Sequence, residues 1–470
     1  MARKQRTAAA SKPNPQPAPP RGAGVAWGPL LAVASGVLPA LLVLAHAPGL
    51  NGTPYWPWRY GDATLGPIVA VAGLAFALAW AAAERYRSSG RPGLPLALLA
   101  AVHVALILGF AALTDQGLAV VGERIRHPDI TSYHTEAARI DDVSGWLDHY
   151  DERLPQMIGH TQTHPPGPIL YYMLWNRWFG PEAGADAGGL FLALLSGLAI
   201  PLVYIAAKRA TAEADSAFAA ALAWTPLPAV ILMLGAFDAV YPLFTLGLIA
   251  LWTRAAWDGD LRAAAGFGAL LALALSFTHS FLVLGAFFAL AGLAPLVSGE
   301  DRQGKLRRLL TASAVGAGVC VTLFVGAWAI WGYDHLAALR VSMGIQEGLA
   351  KAWNRPWRLT VVWDVYDFFL ASGWALAAVV TLFVVRWAKG GLEQAERLRW
   401  FALAALGTLA IVDVSGLLRA ETARVWLFLQ PLAVIIAGAE LARWSPGWRA
   451  ALIGVLFFAL AAIRARIIFI

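Results

Sequence analysis

The stretch His127–Gly167 reads HPDITSYHTEAARIDDVSGWLDHYDERLPQMIGHTQTHPPG. It carries acids at Asp129, Glu136, Asp141, Asp142, Asp148, Asp151 and Glu152, and it closes on His164-Pro165-Pro166. Apolar runs lie on both sides, about Leu94–Leu113 before it and about Ala187–Ala207 after it. Each is close to the twenty or so residues that cross a bilayer as a helix. A polar, His-rich segment held between two such runs points to chemistry at a membrane surface.

Runs of that kind recur from Val25 to the C-terminus. The 470 residues are 59% hydrophobic and only 14% charged, with a mean hydropathy of +0.61. That exceeds the apolar share of soluble domains. The runs lack the strict alternation of barrel strands, so helices are the remaining way to satisfy the backbone in lipid. The expected fold class is an all-α polytopic membrane protein of about 11–13 transmembrane helices. Residues 1–24, rich in Pro, Ala and basic side chains, read as a disordered cytoplasmic tail. Residues 25–114 read as N-terminal transmembrane helices and 115–186 as an external loop with interfacial helices. Residues 187–470 read as further spans, with an external loop at about 333–358.

Composition also excludes several classes. A single cysteine, Cys320, leaves no intrachain disulfide and no cysteine metal cluster. The net charge of +7 is the signature of basic cytoplasmic loops and gives no reason to expect nucleic acid. His134, His149, His160 and His164 match no compact zinc-ligand spacing. No cofactor is demanded by the pattern, and the question of a divalent metal stays open.

Charge sets the topology. The basic tail places the N-terminus in the cytoplasm, and basic loops at Arg85–Arg91, Lys208-Arg209, Arg302–Arg308 and Arg386–Lys389 keep the alternation. Pro168–Phe179 is too short to span and carries Asn176 and Arg177, so it reads as an interfacial helix on the outer surface. This threading uses charge and length alone, yet it gathers the unusual polar residues on the external face. They are Asp129, Glu136, Asp141, Asp142, His160, His164, Asp238, His279, Arg340, Lys351, Arg355, Arg358, Arg419, Glu421 and Arg424. External arginines run against the positive-inside trend and call for an anionic ligand, which a guanidinium fork holds well. Blander readings stand beside this one. Asp238 can cap a helix, His279 can be a satisfied turn residue, and Arg419–Arg424 can be a loop with a structural ion pair. Asp141 to Glu152 can be the solvated face of a surface helix.

Taken together, these residues resemble the GT-C class of integral-membrane glycosyltransferases. The resemblance is to the branch holding the protein O-mannosyltransferases and the lipid A aminoarabinose transferases. The matching features are an acid in the first large external loop (Asp129) and, about 35 residues later, His164-Pro165-Pro166. An aromatic helix ending YYMLWNRWFG, a span ending PLVYIAAKR and an acid at an external turn (Asp238) follow. Two features depart from it. Ile130 stands where many members have a second acid, and two extra helices precede the usual first one.

The resemblance implies an enzyme of the cell (inner) membrane whose active site faces the external, periplasmic side. It implies a polyprenyl-phosphate-sugar donor, a glycan, lipid or protein acceptor, and transfer with inversion. Asp129 would be the general base and His164 would orient it or the donor phosphate. Tyr133, His134, Pro165, Pro166, Asp238, His279, Arg340, Arg355, Arg358, Arg419, Glu421 and Arg424 would bind substrate. Two other functions keep a place. One is a polysaccharide polymerase or ligase using lipid-linked glycans, and the other is a lipid or sugar transporter.

Overall fold

A computed structural model of the chain describes residues 27–233, 235–297, 301–353, 355–391 and 395–469. The tail expected over residues 1–24 lies outside them. The described chain is helical almost throughout. Nine of its helices are long and apolar enough to cross a membrane, and a bent pair makes a tenth. Two shorter apolar helices, Leu261–Leu275 and Leu427–Leu441, fill further places in the bundle.

Proline explains why one expected span is interrupted. Ala214–Trp224 stops at Thr225-Pro226-Leu227, and the chain restarts as Pro228–Leu232. Proline has no N–H to give and pushes its predecessor out of the helical region. The second break lies between Trp357–Leu370 and Ala375–Ala388, which meet at 110°. The two breaks touch, because the Ala229 N–H donates to the Ala371 carbonyl at 3.0 Å. Elsewhere the helices approach closely on small residues. A Cβ on Gly268 would sit 2.1 Å from the Gly316 carbonyl oxygen, so only glycine lets Leu261–Leu275 lie against Arg302–Trp331.

The polar segments collect at one end of this bundle. There, Gly52–Thr53 pairs with Trp56–Pro57, and Arg59–Tyr60 pairs antiparallel with Ile467–Ile468. The segment between the third and fourth spans winds into short helices, including Tyr133–Ala137 and Val143–Asp148. Asp142 caps the second of these by accepting the Ser144 N–H at 3.1 Å. The expected loop at about 333–358 is largely a helix, His335–Ala352. Asp334 supplies the local reason, since its carboxylate accepts the Leu336 and Ala337 N–H groups at 2.9 Å each.

Candidate active site

The His-Pro-Pro-Gly turn builds one wall. Pro166 and Pro168 flank the start of Gly167–Phe179, where a missing N–H costs nothing. The Gly167 N–H donates to the Ser276 carbonyl at 2.7 Å. A Cβ there would lie 2.3 Å from that oxygen, so glycine is required. His164 therefore hangs directly before a locked helix start. Its carbonyl accepts the Tyr150 hydroxyl at 2.7 Å, and its Nδ1 lies 2.8 Å from the His160 carbonyl. A carbonyl only accepts, so Nδ1 carries the proton and Nε2 presents its lone pair. The ring meets Tyr133 edge-on at 5.5 Å. Burial, and then the charge of Arg424, lower the His164 pKa to about 4, working against its hydrogen bond to His160.

The opposite wall is the turn Leu418–Val425. Arg355 and Arg424 both bind Glu421, at 2.8 and 2.7 Å. Arg355 is also clamped between Trp56 and Trp353, whose ring centres lie 4.7 and 4.4 Å from its guanidinium carbon. Arg419 donates to the Arg355 carbonyl at 3.0 Å. Arg424 reaches across to the first wall, with Nη1 3.4 Å from His160 Nε2. Burial opposes its charge, but Glu421 and then Asp238 outweigh burial and hold the guanidinium above the usual arginine range. One carboxylate thus bridges two arginines, and the Nε of each is buried without a hydrogen-bond partner among the described residues. Burying such charge is costly unless further anions or acceptors complete it.

This turn is strained and braced. Ala420 and Glu421 are consecutive non-glycine residues in the left-handed region, at φ 62° and 54°. Such conformations persist only where surroundings enforce them. Two buried acids do so. Asp364 accepts the Ala420 N–H at 2.9 Å, and its carbonyl accepts the Thr422 hydroxyl at 2.6 Å. Asp367 accepts the Ala423 N–H and the Trp58 indole N–H, both at 2.7 Å.

A third group closes the side. His279 and His335 lie 5.3 Å apart, His335 stacks on Phe324 at 4.0 Å, and the Tyr333 hydroxyl is 3.1 Å from His335 Nδ1. Both ring nitrogens of His279 are buried without a partner among the described residues. Burial lowers the His335 pKa to about 4, against Asp334. Burial followed by Arg424 puts His160 well below the ordinary histidine range. These rings are neutral acceptors and donors at neutral pH. No group of three His, Cys, Asp or Glu among the described residues is arranged to hold a metal.

The structure therefore brings together Tyr133, His164, Asp238, His279, Arg355, Arg419, Glu421 and Arg424, with the buried Pro165 and Pro166 behind them. It places four other expected residues differently. Asp129 is exposed, and its carboxylate makes no hydrogen bond or ion pair among the described residues. Arg340 and Arg358 are exposed and equally unpaired. His134 is buried with Nε2 between Asn176 Oδ1 at 3.0 Å and the Pro181 carbonyl at 2.8 Å, joining the aromatic helix to the next span. Glu136 ties Ile158 N–H at 3.1 Å. Asp238 precedes the helix Tyr241–Asp258, whose N-cap position is Val240 with no side-chain cap.

No protein-family profile matches the chain, and no curated protein matches it. Among solved structures, the crystal structure of ArnT from Cupriavidus metallidurans bound to undecaprenyl phosphate is similar. The TM-score is 0.47 and the identity 17%. The match covers 75% of this chain and 60% of that one.

Proposed function

We propose that this protein is a membrane glycosyltransferase that moves a sugar from a polyprenyl-phosphate donor to an acceptor hydroxyl. The observation carrying this reading is the Arg355–Glu421–Arg424 group. It is a rigid, partly desolvated cationic site facing neutral histidines at one end of a helical bundle. A lipid-linked sugar places its phosphate at that level while its chain lies among helices. The acceptor oxygen attacks the anomeric carbon from the face opposite the phosphate. The bond from that carbon to the phosphate oxygen breaks, and its electron pair leaves on the phosphate. Arg355 and Arg424 stabilise the charge that grows there. A carboxylate takes the acceptor proton. Asp129 is assigned that role because its carboxylate has no partner among the described residues and is open to an incoming acceptor. Asp238 shares its charge with Arg424 and serves to hold that guanidinium. His164, with Nε2 as acceptor, orients the donor's hydroxyls. One base suffices, since phosphate leaves without protonation.

The test is binding of a radiolabelled polyprenyl-phosphate sugar to the purified protein, with Arg424→Ala alongside. Tight binding by the wild type and its loss in the variant support the reading. Equal binding by both removes the phosphate site from this cluster.

The touching broken helices favour a second reading, a lipid or sugar transporter, because interrupted helices meeting inside a bundle often form a translocation site. Labelled lipid crossing sealed liposomes without sugar transfer would select it.

A further inference from the structure

A second basic cluster lies at the opposite end of the bundle. The helix Gln430–Leu441 leads away from the Arg424 turn and ends beside the last turn of Ala375–Ala388. Between them is a cavity of about 470 Å³ whose lining includes Arg386, Lys389, Glu440, Arg443 and Trp444. Glu440 is fully used. It pairs with Arg386 at 2.6 Å and accepts the Trp444 indole N–H at 3.2 Å. Lys389 and Arg443 meet no carboxylate among the described residues, so these four charged side chains leave a surplus of two positive charges around the cavity. Leu382 and Val385 make its apolar side.

We propose that this cavity binds the phosphate headgroup of an anionic glycerophospholipid. Lys389 and Arg443 neutralise the phosphate, Glu440 fixes the position of Arg386 beside it, and the acyl chains run down Leu382 and Val385. Free phosphate shares the anionic chemistry but has nothing to place on the apolar side. Basic residues at such a surface also attract anionic lipid diffusely, at roughly fivefold in affinity per cation. A built site differs because only the cations lining the cavity contribute to it. The site does not depend on the proposed transferase activity.

The experiment is thermal melting of the full chain in detergent while phosphatidylglycerol, phosphatidylcholine or inorganic phosphate is titrated in. Phosphatidylglycerol alone should raise the melting temperature. The double variant Lys389→Gln with Arg443→Gln should need roughly twenty-fivefold more of it, the product of two such losses. The control pair Arg302→Gln with Arg307→Gln removes two exposed cations from the start of Arg302–Trp331, at the same end of the bundle. It should leave the titration unchanged. Equal losses in both pairs would mean diffuse attraction and overturn the site. So would an unchanged titration in the first pair, or full stabilisation by inorganic phosphate. If the first pair does not fold, Lys389→Gln alone changes one exposed side chain and should cost roughly fivefold.

Discussion

Two loops face each other across the candidate site, and they are built on opposite principles. The turn Leu418–Val425 is held by carboxyl groups: Asp364 and Asp367 fix its backbone, and Glu421 fixes two guanidiniums. The segment Asp129–His164 is held mostly by neutral bonds. The Tyr150 hydroxyl donates to the His164 carbonyl and the Thr161 N–H donates to Ser132 Oγ, while the Asp129 carboxylate has no partner among the described residues. The contrast fits a division of labour. Groups that must stabilise a developing phosphate charge gain by being fixed beforehand. A base that meets a separate acceptor gains by access.

That contrast can be broken in graded steps. The largest effect should come from Arg424→Ala, which removes the charge joining both walls. Transfer should fall on the order of a hundredfold or more, read as initial rate with labelled donor. Next, Asp367→Ala leaves the Ala423 N–H and the Trp58 indole N–H buried without an acceptor. Each costs about 1–3 kcal/mol, so the melting temperature should drop clearly, and the surviving folded protein should bind donor more weakly. Trp58→Phe removes only one of those donors and should have a smaller effect on both readouts. Gly167→Ala forces a Cβ against the Ser276 carbonyl and should cost about 1–3 kcal/mol of stability.

Acid acts on the neutral histidines. The His164 and His335 pKa values are lowered from 6.5 to about 4. As pH falls below 6.5 the unfolded chain takes up protons that the folded chain refuses. Stability is therefore full above that pH and is lost between 6.5 and about 4. His164→Gln should reduce the slope of stability against pH in that window by about one proton, measured by melting at stepped pH. The smallest effect belongs to Arg340→Gln and Arg358→Gln, whose side chains are exposed and unpaired among the described residues. A few-fold rise in donor KM that disappears at high salt, with kcat unchanged, is expected from long-range attraction alone.

Much of this arrangement was legible in the chain. Apolar run lengths and basic loops suffice to bring residues over a hundred positions apart to one end, as His160 with Arg424 shows. The isolated His-Pro-Pro-Gly turn marked a helix start, because proline and glycine have strong local rules. What escaped was the bracing. Asp364 and Asp367 stand three apart in WDVYDFF, and acids in so apolar a segment were a usable signal. Their partners, the N–H groups of a left-handed turn fifty-odd residues later, were not readable, since no local pattern announces that Ala420 and Glu421 adopt positive φ. The helix His335–Ala352 was missed for a related reason: its charges suggested a loop, and its Asp334 cap carries little weight alone. His134 stands beside Tyr133 in the chain, yet the two part company in the fold. One step along a helix turns a side chain by about 100°, which sends His134 to Asn176 and leaves Tyr133 against His164.

The most direct measurement is sugar transfer in liposomes by the wild type, Asp129→Asn and Asp238→Asn, with donor binding recorded for each. The expected result is transfer by the wild type and a loss of about a hundredfold or more in Asp129→Asn with donor binding intact. Asp238→Asn should instead weaken donor binding through Arg424. Full transfer by Asp129→Asn, with transfer abolished and binding intact in Asp238→Asn, would contradict the assignment and move the base to Asp238.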